Sequence, residues 1–311
     1  MTAGTLSGRA LVDGGVGGTS TLGFTDYAAA LDRIETIRDV TMVGVPDRTD
    51  AAVQTAVVDH CHRLGDRFAI LDSRPGAPMF GPGSVKDDQR PGLDTDNGIA
   101  ALYYPWLLVP PVKGTTPVAV PPSGHVAGLI ARTDSTRGVH KAPAGMEALV
   151  SGSLGITQTM TDTQQGVLNM AGVNVIRVFS TGGRPVVWGA RTTANVTTWQ
   201  YVNIRRLFIY LEGSIEVGIR WAVFEPNNTQ LWEKLKRTIT EFLTRVWRDG
   251  ALFGVQAKDA FYVRIDEALN PFSEQALGRL NIEIGLRPSY PAEFVIVSIG
   301  IWPGGSEITE S

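Results

Sequence analysis

An α/β fold followed by a mixed α+β portion is what the sequence predicts, and three observations carry it. Helix and strand patterns alternate from Thr25 to Asp72 at the spacing of parallel strands joined by crossover helices. The last third has its own rhythm, with the strongest amphipathic helix of the chain between short strand patterns. The chain then closes on Phe294-Val295-Ile296-Val297-Ser298-Ile299-Gly300-Ile301-Trp302, an almost unbroken run of strand formers. At 311 residues, with 43% hydrophobic and 19% charged, there is length for one large or two ordinary domains with a real core.

Residues 1–20 are rich in Gly, Ser and Thr and read as a flexible segment. Thr25 is placed to cap a helix whose Tyr27, Leu31 and Ile34 share one face. Val40 to Asp47 reads as a strand that ends in a turn. A second helix starts near Thr49, with Val53, Val57, Cys61 and Leu64 in one stripe and Gly65 as its stop. Arg67 to Asp72 is the next strand. A Pro/Gly/Asp-rich connection fills 73–98. Strand patterns follow at Ala100 to Val109 and Val118 to Pro122, then a helix from Ser123 to Thr133 with Ser123 as its cap. Gln164 to Asn169 is helical, and Val175–Phe179 and Pro185–Gly189 are strands around a Thr181-Gly182-Gly183 turn.

In the last third, Asn203 to Ile215 reads as a helix and Ile219 to Phe224 as a strand. Asn228 to Asp249 is the best helix, with Asn227 and Gln230 resembling a capping box. Leu231, Leu235, Ile239, Phe242 and Val246 form its buried stripe, and Gly250 stands at the C-cap position. Lys234, Lys236, Arg237, Arg245 and Arg248 lie mostly off that stripe, so its outer face leans basic. Strands follow at Ala260–Ile265, Leu280–Leu286 and Phe294–Ile301.

The terminal run is too short to cross a bilayer as a helix, which takes about 20 residues. Apolar on both faces, it must be covered on both. No Lys or Arg guards it, and unguarded edge strands pair with other chains. On the residues alone, two readings stand: a strand that completes the sheet of its own domain, and one donated to a neighbour.

Composition excludes some classes of function. A formal charge of −3 without a basic stripe gives no reason for nucleic-acid binding. One cysteine leaves no internal disulfide framework and fits synthesis in a reducing compartment. The start does not read as a signal peptide, so export would go by lysis or within a particle. Imitations of catalytic and metal sites fail on geometry. Asp59-His60-Cys61-His62 lies on a helix, where consecutive side chains diverge by about 100°. Asp94-Thr95-Asp96-Asn97-Gly98 starts like a calcium loop, but its Gly comes one position early and Pro105 stands where the closing Glu belongs. Ser123-Gly124-His125 has no nucleophile elbow around it. Gly14 to Gly18 lacks the Lys-Ser/Thr of a phosphate loop. The expectation is no catalytic residue, no metal and no cofactor; an α/β hydrolase-like enzyme and a small-anion binder are the remote alternatives.

A set of stretches resembles the contractile tail sheath protein family. They are Tyr103-Tyr104-Pro105-Trp106, Val120 to Gly128, Ala131 to Asp134, Arg137 to Pro143, Leu168-Asn169, Val187 to Thr192 and Tyr201 to Leu207, and then Phe224-Glu225-Pro226-Asn227, Leu231-Trp232, Gly250-Ala251-Leu252 and Pro291-Ala292-Glu293-Phe294. They keep the family's order over most of residues 22 to 302, in the manner of sheaths of extracellular contractile injection systems and long contractile phage tails.

The resemblance implies a structural role without catalysis. Sheath subunits stack as six-fold rings in a helical array around an inner tube, and shortening of the array drives the tube through a target envelope. It implies an α/β sheath domain at 21–178, likened in its layers to subtilisin but non-catalytic, and a C-terminal sheath domain at 179–311 with a strand arm at 292–302. Phe294, Val295, Ile296, Val297, Ile299 and Ile301 would enter a neighbour's sheet, and Lys234, Lys236 and Arg237 would face the tube. The implied partners are copies of the chain itself, the inner tube protein, and baseplate and terminal cap proteins, with no nucleic acid and no direct membrane insertion. Assembly would take place in the cytoplasm, within a phage-like particle released by lysis; the sheath of a contractile-tailed phage or prophage is the alternative setting. Residues 1–20 do not match the extended arm, reading like Ser-Pro-Gly-Val-Tyr-Val-Glu, with which family members usually begin, and that departure puts self-assembly of this polypeptide in question.

Overall fold

The computed structural model describes residues 22–46, 48–179 and 182–295. Helix α1 (Phe24–Ile34) starts one position before the expected cap. Gly23 is the N-cap, and the Asp26 carboxylate turns back to accept from its amide at 2.8 Å. Strand β1 (Met42–Val43) is the short core of the predicted Val40–Asp47 run. Helix α2 (Ala51–Leu64) is capped by Asp50, which accepts from the Val53 amide, and stops at Gly65 in the left-handed region (φ 71°). Its Val53, Val57 and Cys61 are buried as the stripe predicts. All five residues of β2 (Phe68–Asp72) are buried.

The Pro/Gly/Asp-rich connection is more ordered than its composition suggests. Val85–Gln89 forms one π-helical turn, followed by a 3-10 turn at Arg90–Leu93. The predicted strand Ala100–Val109 divides at Pro105 into β3 (Ala100–Tyr104) and β4 (Leu107–Val109), which join different sheets. Strand β5 (Val118–Val120) leads into α3 (Ser123–Arg137), capped at Pro122 rather than Ser123. The helix runs four residues past the predicted Thr133. Its polar end tolerates this because Ser135 and Thr136 return their hydroxyls to the Arg132 carbonyl. Strand β6 (Gly155–Ile156), helix α4 (Asp162–Met170) with a Thr161/Gln164 capping box, β7 (Val173–Arg177) and β8 (Val186–Val187) complete this part.

The main sheet has the order β1-β2-β3-β7-β8. Its first three pairings are parallel and the last is antiparallel. The alternation of helix and strand therefore produces the parallel α/β layer it predicts. A separate antiparallel sheet, β5-β4-β6, stands beside it.

Helix α5 (Val202–Ile219) connects the two cores of the molecule. Val202 and Ile209 pack into the core of the main sheet, whereas Leu207 and Leu211 pack against the next helix. The predicted strand Ile219–Phe224 is not one: Ile219 ends α5 and Arg220–Ala222 is a 3-10 turn. A short apolar run does not by itself separate strand from helix end, and here Val223 and Phe224 face solvent. Helix α6 (Thr229–Arg248) takes Asn228 as its cap, accepting from the Leu231 amide at 3.0 Å. Asn227, the expected cap residue, instead receives the Trp232 indole N–H at 2.7 Å. Leu243 joins Leu231, Leu235, Ile239 and Val246 on the buried face, with Phe242 at its half-buried margin. Helix α7 (Ala257–Ala260), strand β9 (Phe261–Arg264), helix α8 (Phe272–Ala276) and strand β10 (Glu283–Leu286) follow, and β9 pairs antiparallel with β10 to cover α6.

Candidate functional site

After β10 the chain returns to the main sheet, and this return builds a dense polar cluster. The Ser289 amide donates to the Ala251 carbonyl at 3.0 Å and its hydroxyl to the Gly250 carbonyl at 2.9 Å. Tyr290 then meets the Tyr201 ring edge to face, with centroids 6.2 Å apart. Glu293 completes the crossing. Its carboxylate accepts from Arg191 Nε at 2.8 Å and Nη2 at 2.7 Å, from the Tyr201 hydroxyl at 2.9 Å and from Asn169 Nδ2 at 2.6 Å. The two side chains of the ion pair are 8% and 15% exposed, so solvent screens them little.

Each partner is held from behind. Asn169 belongs to α4. Arg191 follows β8 in an extended segment that forms an antiparallel bridge with Tyr201 and is gripped by Asn174 of β7: the Arg191 amide donates to Asn174 Oδ1, and Asn174 Nδ2 donates to the Arg191 carbonyl. Gly189 fits here because a Cβ would stand 3.0 Å from Asn174 Oδ1. Burial would push the Glu293 carboxyl up, but donation from Arg191, Asn169 and Tyr201 outweighs it and holds the group below the usual carboxylate range. The same hydrogen bond raises the Arg191 guanidinium above its ordinary value.

Beside the cluster lies a cleft of about 540 Å³ with Trp188, Tyr201, Tyr290 and Phe294 among its walls. Beyond Glu293 the chain has no strand partner among the described residues. Phe294 is 66% exposed and Val295 80%. Ile296, Val297, Ile299 and Ile301, which complete the expected arm, lie outside the described residues, as does the Gly14–Gly18 stretch.

On α6, Lys234, Lys236 and Arg237 are exposed. Lys234 Nζ stands 3.9 Å above the Trp221 ring, and none of the three forms an ion pair among the described residues. The other sequence candidates are structural. Cys61 is fully buried, which pushes its thiol up to about 12, and the neighbouring His60 receives Arg67. Asp94 pairs with Arg90, Thr95 with Thr193, and a Cβ on Gly98 would stand 2.5 Å from the Trp199 carbonyl. The Ser123 hydroxyl donates to the buried Asp72 carboxylate at 2.6 Å. Arg206 pairs with Asp134, while Arg205 stacks on Trp199. Among the described residues no group of three or more His, Cys, Asp or Glu is placed to hold a metal ion, and no helix is long and apolar enough to cross a membrane.

Models of the phage tail sheath protein central domain and of the phage tail sheath C-terminal domain match residues 21–193 and 195–301. The chain belongs to the phage tail sheath family. Its fold is similar to that of the sheath of an extracellular contractile injection system, PVC, solved in the contracted state: 32% identity, TM-score 0.77, covering 88% of this chain and 74% of that one. It is also similar to a chain of the six-fold symmetrised baseplate of the anti-feeding prophage, with 32% identity, TM-score 0.74, and 88% and 72% coverage. The tail sheath protein of Vibrio phage KVP40 is 26% identical over 181 residues, which are 58% of this chain and 26% of that protein's length.

The Glu293 cluster joins the two family-matched regions, since Asn169 and Arg191 lie in the first and Tyr201 and Glu293 in the second. Sequence reasoning did not assemble it. Its only signal was that all four residues stand in stretches resembling sheath proteins, and that one carboxylate precedes the apolar run.

Proposed function

We propose that this chain is a structural subunit of a contractile sheath of a phage-tail-like injection particle. It polymerises as six-fold rings in a helical array around an inner tube, and contraction drives the tube through a target envelope. The observation that carries this reading is the match of 88% of the chain to a sheath in its contracted state. A relative solved within a six-fold symmetrised baseplate supports the ring symmetry. Residues 21–178 act as the non-catalytic, subtilisin-like sheath domain and 179–311 as the C-terminal sheath domain.

Residues 292–302 form the arm. Phe294 and Val295 leave the body exposed and run on into the unguarded apolar stretch to Trp302. A donated strand obtains ladder hydrogen bonds and side-chain pockets from its acceptor. Such a head-to-tail contact does not close on itself and builds a helical array. The bodies can then rotate while the strand links persist, and contraction exchanges one set of body contacts for another. Lys234, Lys236 and Arg237 face the tube through a weak, screened contact that releases on contraction. Assembly takes place in the cytoplasm, with baseplate and cap proteins ending the array, and the particle is released by lysis. A phage or prophage tail is the second setting, favoured by the likeness to a phage sheath.

The test is electron microscopy of the full chain beside a version ending at Val295, which keeps Glu293. Tubes or stacked rings from the first alone are the expected result. Tubes from both would sink the donated arm.

A further inference from the structure

The geometry points to Glu293 as the anchoring residue of the C-terminal segment, a staple that fixes where the chain leaves the body. The contrast across one peptide bond is the key. Glu293 spends both carboxylate oxygens on four hydrogen bonds from three side chains, whereas Phe294 and Val295 beside it stand 66% and 80% exposed. No regular backbone pairing holds residues 290–295 to the main sheet among the described residues. A carboxylate and a guanidinium in parallel contact fix direction as well as distance, because the fork and the carboxylate must be coplanar. Glu293 therefore sets both the exit point and the heading of Phe294 and Val295.

The side of the body that receives Glu293 is rigid, as such an anchor requires. Arg191 is fixed by Asn174 from the central part of the main sheet, and Asn169 by α4. The segment that carries Glu293 is tied to the other core through Ser289 and the Gly250–Ala251 backbone. A pull on the terminal run is thus met first at Glu293 and shared between both cores. Arg191 and Tyr201 face the carboxylate directly, and His140 and Lys141 line the same cleft. This inference concerns the chain on its own and holds whether or not the arm is donated to a neighbour.

The test is a distance measurement between spin labels on the full-length chain. The single cysteine, Cys61, is fully buried, so labels at Val295→Cys and Met146→Cys report cleanly. Met146 is 66% exposed, on a loop tied to β8 through the Gly145 and Ala148 hydrogen bonds with Val187. A narrow distance distribution is expected at pH 7.5. Glu293→Gln should broaden it severalfold while circular dichroism of the core stays unchanged, and Arg191→Lys and Tyr201→Phe should broaden it by lesser steps. Because Glu293 is held below the usual carboxylate range, the unsubstituted chain should stay narrow through that range and broaden only as pH falls below it, and the Glu293→Gln chain should not respond. A Glu293→Gln distribution as narrow as the parent overturns the assignment. So does loss of the whole fold in that variant, which would make Glu293 a core-stability residue instead of a local anchor.

Discussion

Arg206 of α5 holds Asp134 of α3 through two parallel hydrogen bonds, Nη1 to Oδ1 at 2.8 Å and Nη2 to Oδ2 at 2.6 Å, with the guanidinium 8% exposed. The pair ties the helix that carries both cores to the helix over the main sheet. Removing one partner strands the other charge with little solvent around it. Asp134→Ala should therefore cost roughly 3 kcal/mol in urea unfolding at pH 7, in the range for a broken buried pair. Replacing both with apolar residues of similar volume should cost markedly less. A double-variant loss equal to the sum of the two single-variant losses would mean that the contact is not coupled.

Ser123 separates a structural reading from a catalytic one. Its amide and hydroxyl both donate to the buried Asp72 carboxylate, at 2.7 and 2.6 Å, which fixes the start of α3 on β2. The hydroxyl points its proton at a carboxylate, and no imidazole is hydrogen-bonded to its oxygen among the described residues. Ser123→Ala should lower stability by about 1.5–3 kcal/mol, the usual contribution of a hydrogen bond to a charged group. A fluorophosphonate probe should leave the unsubstituted chain unlabelled. Stoichiometric labelling at Ser123 would reopen the hydrolase alternative.

The main sheet and helices α2 and α6 were readable because their signals are local: a period of 3.6, a cap, a stop glycine, an alternation of elements. What escaped depends on contacts distant in sequence. Ala100–Val109 reads as one strand until Pro105 sends its halves to different sheets. Ile219–Phe224 has strand composition, yet Phe224 adopts φ 69° and is fully exposed, which no propensity indicates. The Glu293 cluster escaped for the same reason: its members come from α4, the extended segment after β8, the start of α5 and the chain beyond β10. The basic face of α6 was legible as a pattern, but the seat of Lys234 over Trp221 depends on how the 3-10 turn after α5 meets α6.

Acid should loosen the first helix pair through His60. Arg67 is completely buried and donates to His60 Nε2 at 3.2 Å and to the Ile34 and Ile37 carbonyls. Because a guanidinium only donates, Nε2 must be the accepting nitrogen and His60 must be neutral. Burial lowers its pKa first, and the positive charge of Arg67 lowers it further. A histidine depressed in the folded state binds more protons when unfolded. Its contribution is complete above the ordinary value of 6.5 and declines as pH falls below it. The urea midpoint should drop between pH 7.5 and 5.5, and His60→Gln should reduce that slope. Some slope should survive, since burial also lowers His140. An unchanged slope would remove His60 from this account.

Charge reversal on α6 distinguishes a working face from a solvated one. Lys236 and Arg237 project from the exposed side, away from the buried Leu235 and Ile239. Substituting both with Glu should shift folding stability by no more than about 0.5 kcal/mol, as for surface changes away from packed features. Lys234→Glu should be somewhat worse, because it gives up the Trp221 ring. If the face meets a tube, the Lys236→Glu/Arg237→Glu chain should still form sheath, yet co-sediment poorly with a tube protein. The parent's co-sedimentation should in turn weaken as salt rises, since exposed charges are screened within about 8 Å at physiological ionic strength. Unaltered co-sedimentation of the reversed chain would place the tube contact elsewhere. The basic outer face of α6 would then be only what keeps that helix soluble.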